Sequence, residues 1–403
     1  MELDIYDVLY NAVQENNITL CQEILQSKSL NLQRARSAKA LGTPLLHAAC
    51  MYRRSDIAKV LLTHGADISA VDHFGRTPIQ ILISLWPRAG PWDKPGDTMI
   101  DEIEREFWSR MISKHDESLK CLLILLAHGA NANQKFNDNN STALHVCSHR
   151  ELFSALDALL LFGAGIEYRD NDLRTPLLHA AKHGIHRSVR HLLIQGADHR
   201  VEDKDGCTVL HLLAGSNRMS IEEMTSLAHI FPQLLNTMNF RTLKGHTSLH
   251  VACQNGDGEK IKFLLENNAD PNIKDDLGRS PLYTLLDNNQ PGQSVLGLLS
   301  LLEVTVQPSV HDRDGNLPKY LLWCSRTRFK QELITRSRSP VSLYALCIQR
   351  VIGCLKTTRR SVLHVSRLPL PLTIREEIMS TQQSHREFWQ KLLFFVESPS
   401  KSK

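Results

Sequence analysis

The segment Thr43-Pro44-Leu45-Leu46-His47-Ala48-Ala49 occurs again, letter for letter, as Thr175-Pro176-Leu177-Leu178-His179-Ala180-Ala181. Weaker copies keep its polar first residue and an apolar third residue, and they begin at Thr77, Thr142, Thr208, Thr247 and Ser280. The starts at 142, 175 and 208, and those at 247 and 280, are 33 residues apart. Self-similarity at such a period predicts a stack of small structural units along the chain.

Each copy carries the signals of two short helices and a turn. Thr can cap the first helix, and Pro suits its first turn because an N–H at that position has no helical partner. Roughly twenty residues later an apolar pair is followed by Gly and then Asp or Asn, as in residues 192–198. Gly ends the second helix, and the polar residue favours a hairpin. One helix pair cannot bury its apolar face alone, so the units must stack.

These residues resemble the ankyrin repeat family, which implies an all-α solenoid. We place the array at residues 41–324. Residues 4–38 have helical apolar spacing without the Thr-Pro-Leu-His signature, and we interpret them as a degenerate N-terminal capping repeat. The resemblance also implies that the motif histidines hydrogen-bond within the repeat framework; these are His47, His145, His179, His211 and His250.

The spacing departs from the period at two places. Thr77 and Thr142 are 65 residues apart, so we expect an insertion at about 87–117 between the two helices of that repeat. Its aromatic residues either form a partner-binding surface or, as we favour, pack on the array: Trp86, Trp92, Phe107 and Trp108. The insertion also resembles ankyrin repeat domain-containing proteins of similar architecture. The second departure lies between Thr208 and Thr247, where we predict a longer loop at 217–220.

The sequence matches no catalytic or cofactor motif. It lacks a Gly-rich phosphate loop, a His-Glu-x-x-His pair and a Gly-x-Ser-x-Gly elbow, so we predict neither enzymatic activity nor a cofactor. The group His179, His183, His186 and His191 has some ligand-like spacings, but it lacks the Cys or carboxylate of a zincin-type site. We therefore predict no metal site.

Charge is divided unevenly along the chain. The net charge of the 403 residues is +4, but residues 320–403 hold 15 Lys+Arg against 5 Asp+Glu. This basic segment lacks the aromatic pattern of single-strand binders, so we do not expect a nucleic-acid partner. Nine Cys without a Cys-x-x-Cys pair argue against a disulfide framework, and the apolar runs are too short to span a bilayer. We expect a cytoplasmic protein, with the nucleus as a second location.

Two motifs follow the array. In the first, Leu343, Cys347 and Val351 recur at four-residue spacing on one helical face after Ser342, with Leu346 between them. The second is Leu368-Pro369-Leu370-Pro371. In this order they resemble the SOCS box, the carboxy-terminal module of the ankyrin-repeat and SOCS-box family, here at residues 340–379.

That resemblance implies two partners. Elongin C, within Elongin B/C, would bind Leu343, Leu346, Cys347 and Val351; a cullin, Cullin-5, would bind Leu368, Pro369, Leu370 and Pro371. Two departures concern the cullin contact: Glu376-Glu377-Ile378 stands where the family has an aromatic residue, and Ser366 is polar in a stretch that is apolar in the family.

We therefore predict a non-enzymatic adaptor. Its array would bind an unidentified protein substrate, and its SOCS-box-like helical module would dock Elongin B/C and a cullin of a ubiquitin ligase. The alternative is an interaction scaffold whose C-terminal helices only cap the solenoid. Residues 380–403 form an aromatic C-terminal tail to which the motifs assign no role.

Overall fold

The computed structural model describes residues 2–27, 32, 36–37, 43–87, 116–136, 139–287, 295–305, 309–323, 331 and 334–335. The chain divides into two compact units. The first unit comprises Met1–Ala180 with Arg187–Ala197, and the second unit comprises Ala181–His186 with Asp198–Lys403. The buried side chains of both units are mainly Leu, Ile, Val and Ala.

Short helices account for most of the described residues up to position 194. They are α1 Glu2–Glu15, α2 Ile18–Ser27, α3 Leu45–Tyr52, α4 Ser55–Thr63, α5 Pro78–Ser84, α6 at 116–127, α7 Ala143–His149, α8 Phe153–Leu161, α9 Pro176–Lys182 and α10 His186–Ile194. Strands β1 Arg36–Ser37 and β2 Thr43–Pro44 form a two-residue antiparallel ladder with Arg36 opposite Pro44. Apart from this ladder and an isolated bridge between Lys135 and Thr142, the elements of the described residues are helical, as the all-α prediction requires.

The later helices repeat this pattern. They are α11 Val209–Gly215, α12 Ile221–Ile230, α13 Ser248–Asn255, α14 Gly258–Glu266, α15 Pro281–Asp287, α16 Val295–Val304 and α17 Lys319–Trp323. The loop predicted at 217–220 is a turn, but it accounts for only part of the longer spacing. A six-residue 3-10 helix, Pro232–Thr237, accounts for more of it, and this element was not predicted from the sequence.

Each unit stacks its helices in rows. In the first unit α1 contacts α3, α3 contacts α5 and α5 contacts α7, while α2 contacts α4. In the second unit α11, α13 and α15 form one row, and α12, α14 and α16 form the other. First helices therefore meet first helices and second helices meet second helices, which is how a repeat array shares one core. Among the described helices, none combines the length and apolar character needed to cross a membrane.

The predicted helix starts and ends are confirmed at most repeats. Thr77, Thr142, Thr208 and Thr247 each form a capping box with the residue three positions later. Helix α3 differs, because Thr43 and Pro44 pair with β1 and the helix begins one residue later, at Leu45. The second helices are followed by residues with positive φ: Gly65, Gly129, Gly163, Gly196 and Asn268.

Two arginines fasten the point where the insertion leaves the array. Arg53 donates a 2.6 Å hydrogen bond to the Leu85 carbonyl. Arg150 donates to three more carbonyls at 2.6–2.8 Å, those of Ile83, Ser84 and Trp86. Trp86 itself is 2% exposed, so the favoured packing interpretation is confirmed for this residue. The other aromatic residues of the insertion, Trp92, Phe107 and Trp108, lie outside the described residues.

Candidate interaction surface

The motif histidines join neighbouring repeats. His145 Nδ1 accepts a hydrogen bond from the Thr142 N–H at 3.1 Å, and its Nε2 donates to the Arg174 carbonyl at 2.9 Å. The same pair of bonds recurs at His211 and His250. His47 also donates to a carbonyl of the following turn, that of Arg76, at 2.8 Å. One ring thus caps its own helix and holds the next turn in place.

These bonds define the protonation state of the rings. A backbone N–H only donates and a carbonyl only accepts, so Nδ1 is unprotonated and Nε2 carries the hydrogen. Burial lowers the pKa of His145 and His211, and it lowers the pKa of His250 to about 4. The prediction that motif histidines serve the framework is therefore confirmed at these positions.

One repeat performs the same task with glutamine. Gln80 occupies the position of the histidine, and its Oε1 accepts from the Thr77 N–H at 2.6 Å. Its Nε2 donates to the Lys135 carbonyl. Both framework bonds are therefore kept by a side chain that does not titrate.

Two members of the ligand-spaced histidine group bind separate carboxylates. His186 Nδ1 lies 2.6 Å from Glu223 Oε1, and His191 Nε2 lies 2.7 Å from Asp157 Oδ1. Gln195 also donates to Asp157, at 3.0 Å. Asp157 on α8 thus binds two side chains that are one turn apart: His191, which is in α10, and Gln195, which directly follows the last residue of α10.

An aspartate organises the turn before most first helices. Asp275 Oδ1 accepts from the Leu277 N–H at 3.0 Å and from the Arg279 N–H at 2.8 Å. The same two backbone bonds to one carboxylate oxygen are made by Asp72, Asp170, Asp203 and Asp312. The turns are therefore fixed before any partner arrives, which reduces the ordering cost of binding.

The fixed turns expose apolar side chains at their tips. In the first unit Phe74 is 69% exposed, and Leu173 is also exposed. In the second unit Leu243 is 74% exposed and Leu277 is 57% exposed. The four residues occupy the second, third or fourth residue of their turns, so each unit exposes two large apolar groups on its turns, where a partner can cover them. We call these four residues the turn tips.

Leu173 is unusual among the turn tips. Its φ is +56°, at the position that Gly75, Gly206, Gly245, Gly278 and Gly315 occupy in the other turns. This left-handed conformation costs a residue with a Cβ about 1 kcal/mol. A leucine held there exposes an apolar side chain at some expense of stability, as binding residues often do.

The turns of the second unit are also tied to one another. The Leu243 N–H donates to the Asp205 carbonyl at 3.0 Å, and the Arg313 N–H donates to the Leu277 carbonyl at 2.8 Å. Arg241 and Asp276 form an ion pair at 2.8 Å beside these leucines. The result is a rigid row of apolar and charged groups, which suits recognition of a protein surface.

The site residues predicted from the C-terminal motifs lie outside the described residues: Leu343, Leu346, Cys347, Val351, Leu368, Pro369, Leu370 and Pro371. The turn tips were not predicted from the sequence. A usable signal was present, since Asp72-His73-Phe74-Gly75 places a large apolar residue inside a turn motif where polar residues are the norm.

Comparison with known proteins agrees with this architecture. A family model described as ankyrin repeats, in three copies, matches residues 9–85, 110–203, 177–275 and 227–300. Ankyrin repeat and SOCS box protein 16 of Mus musculus is 29% identical over 297 residues, covering 64% of this chain and 64% of that protein. Its Homo sapiens counterpart is 25% identical over 373 residues, covering 85% and 68%.

Two further matches are more limited. Tyrosine-protein kinase HTK16 of Hydra vulgaris is 35% identical over 74 residues, and the chain spans only 10% of that protein. The crystal structure of the Bcl-3 ankyrin repeat domain is 21% identical with a TM-score of 0.41, covering 68% of this chain and 92% of that one. Ankyrin repeats imply protein–protein interaction, in keeping with the rigid turn tips. From the extent of the family match and the stacked helix pairs, the chain belongs to the ankyrin repeat family.

Proposed function

We propose that this chain is a substrate-recognition adaptor of an Elongin B/C–cullin ubiquitin ligase, with Cullin-5 as the cullin. The repeat array binds a protein substrate through the turn tips. Elongin C binds Leu343, Leu346, Cys347 and Val351, and the cullin contacts residues 368–371. The chain itself catalyses no reaction.

One observation carries the proposal: an ankyrin array is followed, in order, by Leu-x-x-x-Cys-x-x-x-Val and Leu-Pro-Leu-Pro. The mouse and human relatives that align over most of this chain are named for ankyrin repeats and a SOCS box. Either short motif alone would carry little weight. Their order, spacing and position after the array make the combination specific.

The chemistry of the motifs suits the partners. A leucine on a helical face can fill an apolar pocket, and Cys347, four residues later, supplies a small hydrophobic group beneath it. The two prolines restrict the backbone around Leu368 and Leu370, so these side chains lose little freedom on binding.

The direct test is binding of purified Elongin B/C to the full chain, measured by calorimetry. We expect wild type to bind and Leu343→Asp to bind at least about tenfold more weakly, because the buried leucine is worth about 1.5–3 kcal/mol. A carboxylate in an apolar pocket adds a further penalty.

Leu243→Asp is the matched control, since it places the same charge on an exposed turn tip. It should bind Elongin B/C like wild type and lose affinity for the substrate. Failure of wild type to bind Elongin B/C would refute the adaptor and favour the scaffold. In that case, deletion of residues 340–403 would lower the stability of the array and leave cellular ubiquitination unchanged.

A further inference from the structure

Two neighbouring helices of the first unit end in exposed apolar side chains. Leu161, the last residue of α8, is 79% exposed, and Ile194, the last residue of α10, is 61% exposed. They are 33 residues apart and occupy the same position in consecutive repeats, the third residue of Leu-Leu-x-x-Gly-Ala and its variant. The two side chains therefore lie at equivalent heights on adjacent helices.

Other repeats of this chain keep that position polar or small. It is occupied by Thr63 in α4, Ala127 in α6 and Glu266 in α14. Folding of a repeat thus does not require a large apolar residue there. Leu161 and Ile194 instead place apolar surface in solvent, where it is favourable only if something covers it.

The residue after this position is also apolar at the end of α8, although it is polar in other repeats. His64, His128 and Asn267 each use their side chain to bond the carbonyl four residues earlier at 2.8 Å, which gives that carbonyl at the helix end a second hydrogen bond beside the one from the backbone N–H. In α8 the equivalent residue is Phe162, which is exposed and has no polar group to make that bond. At the end of α8, a polar side chain with a structural task has been replaced by an aromatic one.

Charges of opposite sign lie one turn before the apolar pair. Asp157 precedes Leu161 by four residues, and Arg190 precedes Ile194 by four, so each shares a helical face with its apolar residue. Both are exposed. Helix α8 therefore carries an acidic residue one turn before its exposed leucine, and α10 carries a basic residue one turn before its exposed isoleucine. The two pairs lie at equivalent heights on the two helices.

We propose that this face binds a second copy of the same chain. A two-fold axis that runs parallel to α8 and α10, lies outside the exposed face and is centred over the gap between the two helices places α8 of one copy against α10 of the other. Leu161 then meets the partner's Ile194, and Asp157 meets the partner's Arg190. Because the interface is two-fold symmetric, each contact occurs twice. The self-complementary order of charges is what selects a second copy as the occupant.

The dimer is separate from the proposed ligase contact, which uses residues 343–371. It gives the assembly two sets of turn tips, so a substrate with two binding segments would be held more tightly than one chain could hold it. Loss of the dimer would leave binding of Elongin B/C unchanged, and loss of Elongin binding would leave the dimer unchanged.

The test is sedimentation of the full chain from about 1 to about 100 µM. We expect a concentration-dependent monomer–dimer equilibrium. Asp157→Arg and Arg190→Asp should each weaken the dimer by about tenfold or more, because like charges then face each other. The double variant Asp157→Arg/Arg190→Asp should restore dimerisation to within a few-fold of wild type.

Leu161→Thr is the apolar test, since Thr63 shows that a repeat folds with threonine there. It should weaken the dimer and leave the melting temperature of the diluted monomer unchanged. Thr63→Leu, the reverse change in another repeat, should leave the dimer unchanged. A monomer at every concentration would overturn the proposal, as would a dimer that tolerates both single charge reversals or is not restored by the double variant.

Discussion

The two ends of a repeat treat hydrogen bonds differently. At the start of the first helix, Thr247 is capped by His250 and Thr77 by Gln80, and both side chains also hold a carbonyl of the next turn. At the end of the second helix, His64 caps a carbonyl but Phe162 leaves the same position without a side-chain bond. At the buried position, glutamine replaces histidine and both hydrogen bonds are kept. At the surface position, phenylalanine replaces histidine and the side-chain hydrogen bond is lost. This difference separates positions that the fold controls from positions open to function.

The largest effect should follow from breaking the interior pattern. His250→Leu leaves the Thr247 N–H and the Arg279 carbonyl without their side-chain partner in a buried setting. We expect a loss of about 3 kcal/mol in the free energy of unfolding, measured by urea titration. His250→Gln is the control, and Gln80 indicates that it should cost less than about 1 kcal/mol. Equal losses in the two variants would show that bulk, not hydrogen bonding, matters at this position.

Lowering the pH should weaken the same buried hydrogen bonds, because it favours the protonated form of histidine. Burial lowers the pKa of His250 from 6.5 to about 4, so the unfolded chain takes up this proton at higher pH than the folded chain does. The stability contribution is therefore complete above pH 6.5 and is lost as the pH falls towards 4. For His250 alone we expect a loss of about 2 kcal/mol between pH 7 and pH 5.

The lowered pKa values of His145 and His211 add to the loss in the same direction. Urea titrations at the two pH values measure the total for wild type and for His250→Gln. The glutamine variant should lose visibly less stability on acidification. A variant with the full wild-type pH dependence would mean that His250 does not titrate as its burial requires.

A smaller gain is expected where a surface residue strains the turn. Leu173→Gly keeps the bonds from Asp170 and relieves the left-handed backbone, so it should raise the free energy of unfolding by about 1 kcal/mol. Gly75→Ala is the converse control: its φ is +75° with open space around it, and it should lose about the same amount. If Leu173→Gly also weakened substrate binding, the strained leucine would be a binding residue.

The smallest effect should come from restoring the surface bond. Phe162→His gives α8 the side chain that His64 and His128 use to bond a carbonyl four residues back, here that of Ala158. We expect a gain of about 0.5 kcal/mol, since the position is exposed and lies at a helix C-terminus. Thermal unfolding of diluted protein measures it. An unchanged or lower melting temperature would show that Phe162 contributes packing that the cap cannot replace.

Much of the fold could be predicted from the sequence because the residues at the start and end of each helix favour a helix boundary through local hydrogen bonds and backbone conformation. Thr before an apolar residue and Gly after an apolar pair place most boundaries to within a residue. The 3-10 helix at Pro232–Thr237 was missed because short elements of this kind depend on their surroundings more than on a local signature. The role of Gln80 was missed for another reason: glutamine matches the hydrogen-bond geometry of the histidine without resembling it in sequence.

The two candidate sites differ in how far the sequence alone could predict them. The turn tips depend on which residues a fixed turn leaves in solvent, and exposure of that kind is decided by the stacking of repeats, so one sequence without the structure does not reveal it. The C-terminal motif residues, including Leu343 and Leu368, lie outside the described residues and stay predictions. Their test is the binding experiment with Elongin B/C.

The arginine clamp at the end of α5 has a consequence for how this chain can change in evolution. Arg53 and Arg150 come from the repeats before and after the insertion, and both hold carbonyls at its first residues. The array is thus held together at that point by side chains of its own repeats, whatever the sequence of the inserted segment. These hydrogen bonds would allow the inserted sequence to be lengthened, shortened or exchanged while the register of the stack is preserved. It is the natural position for grafting a new segment onto this solenoid.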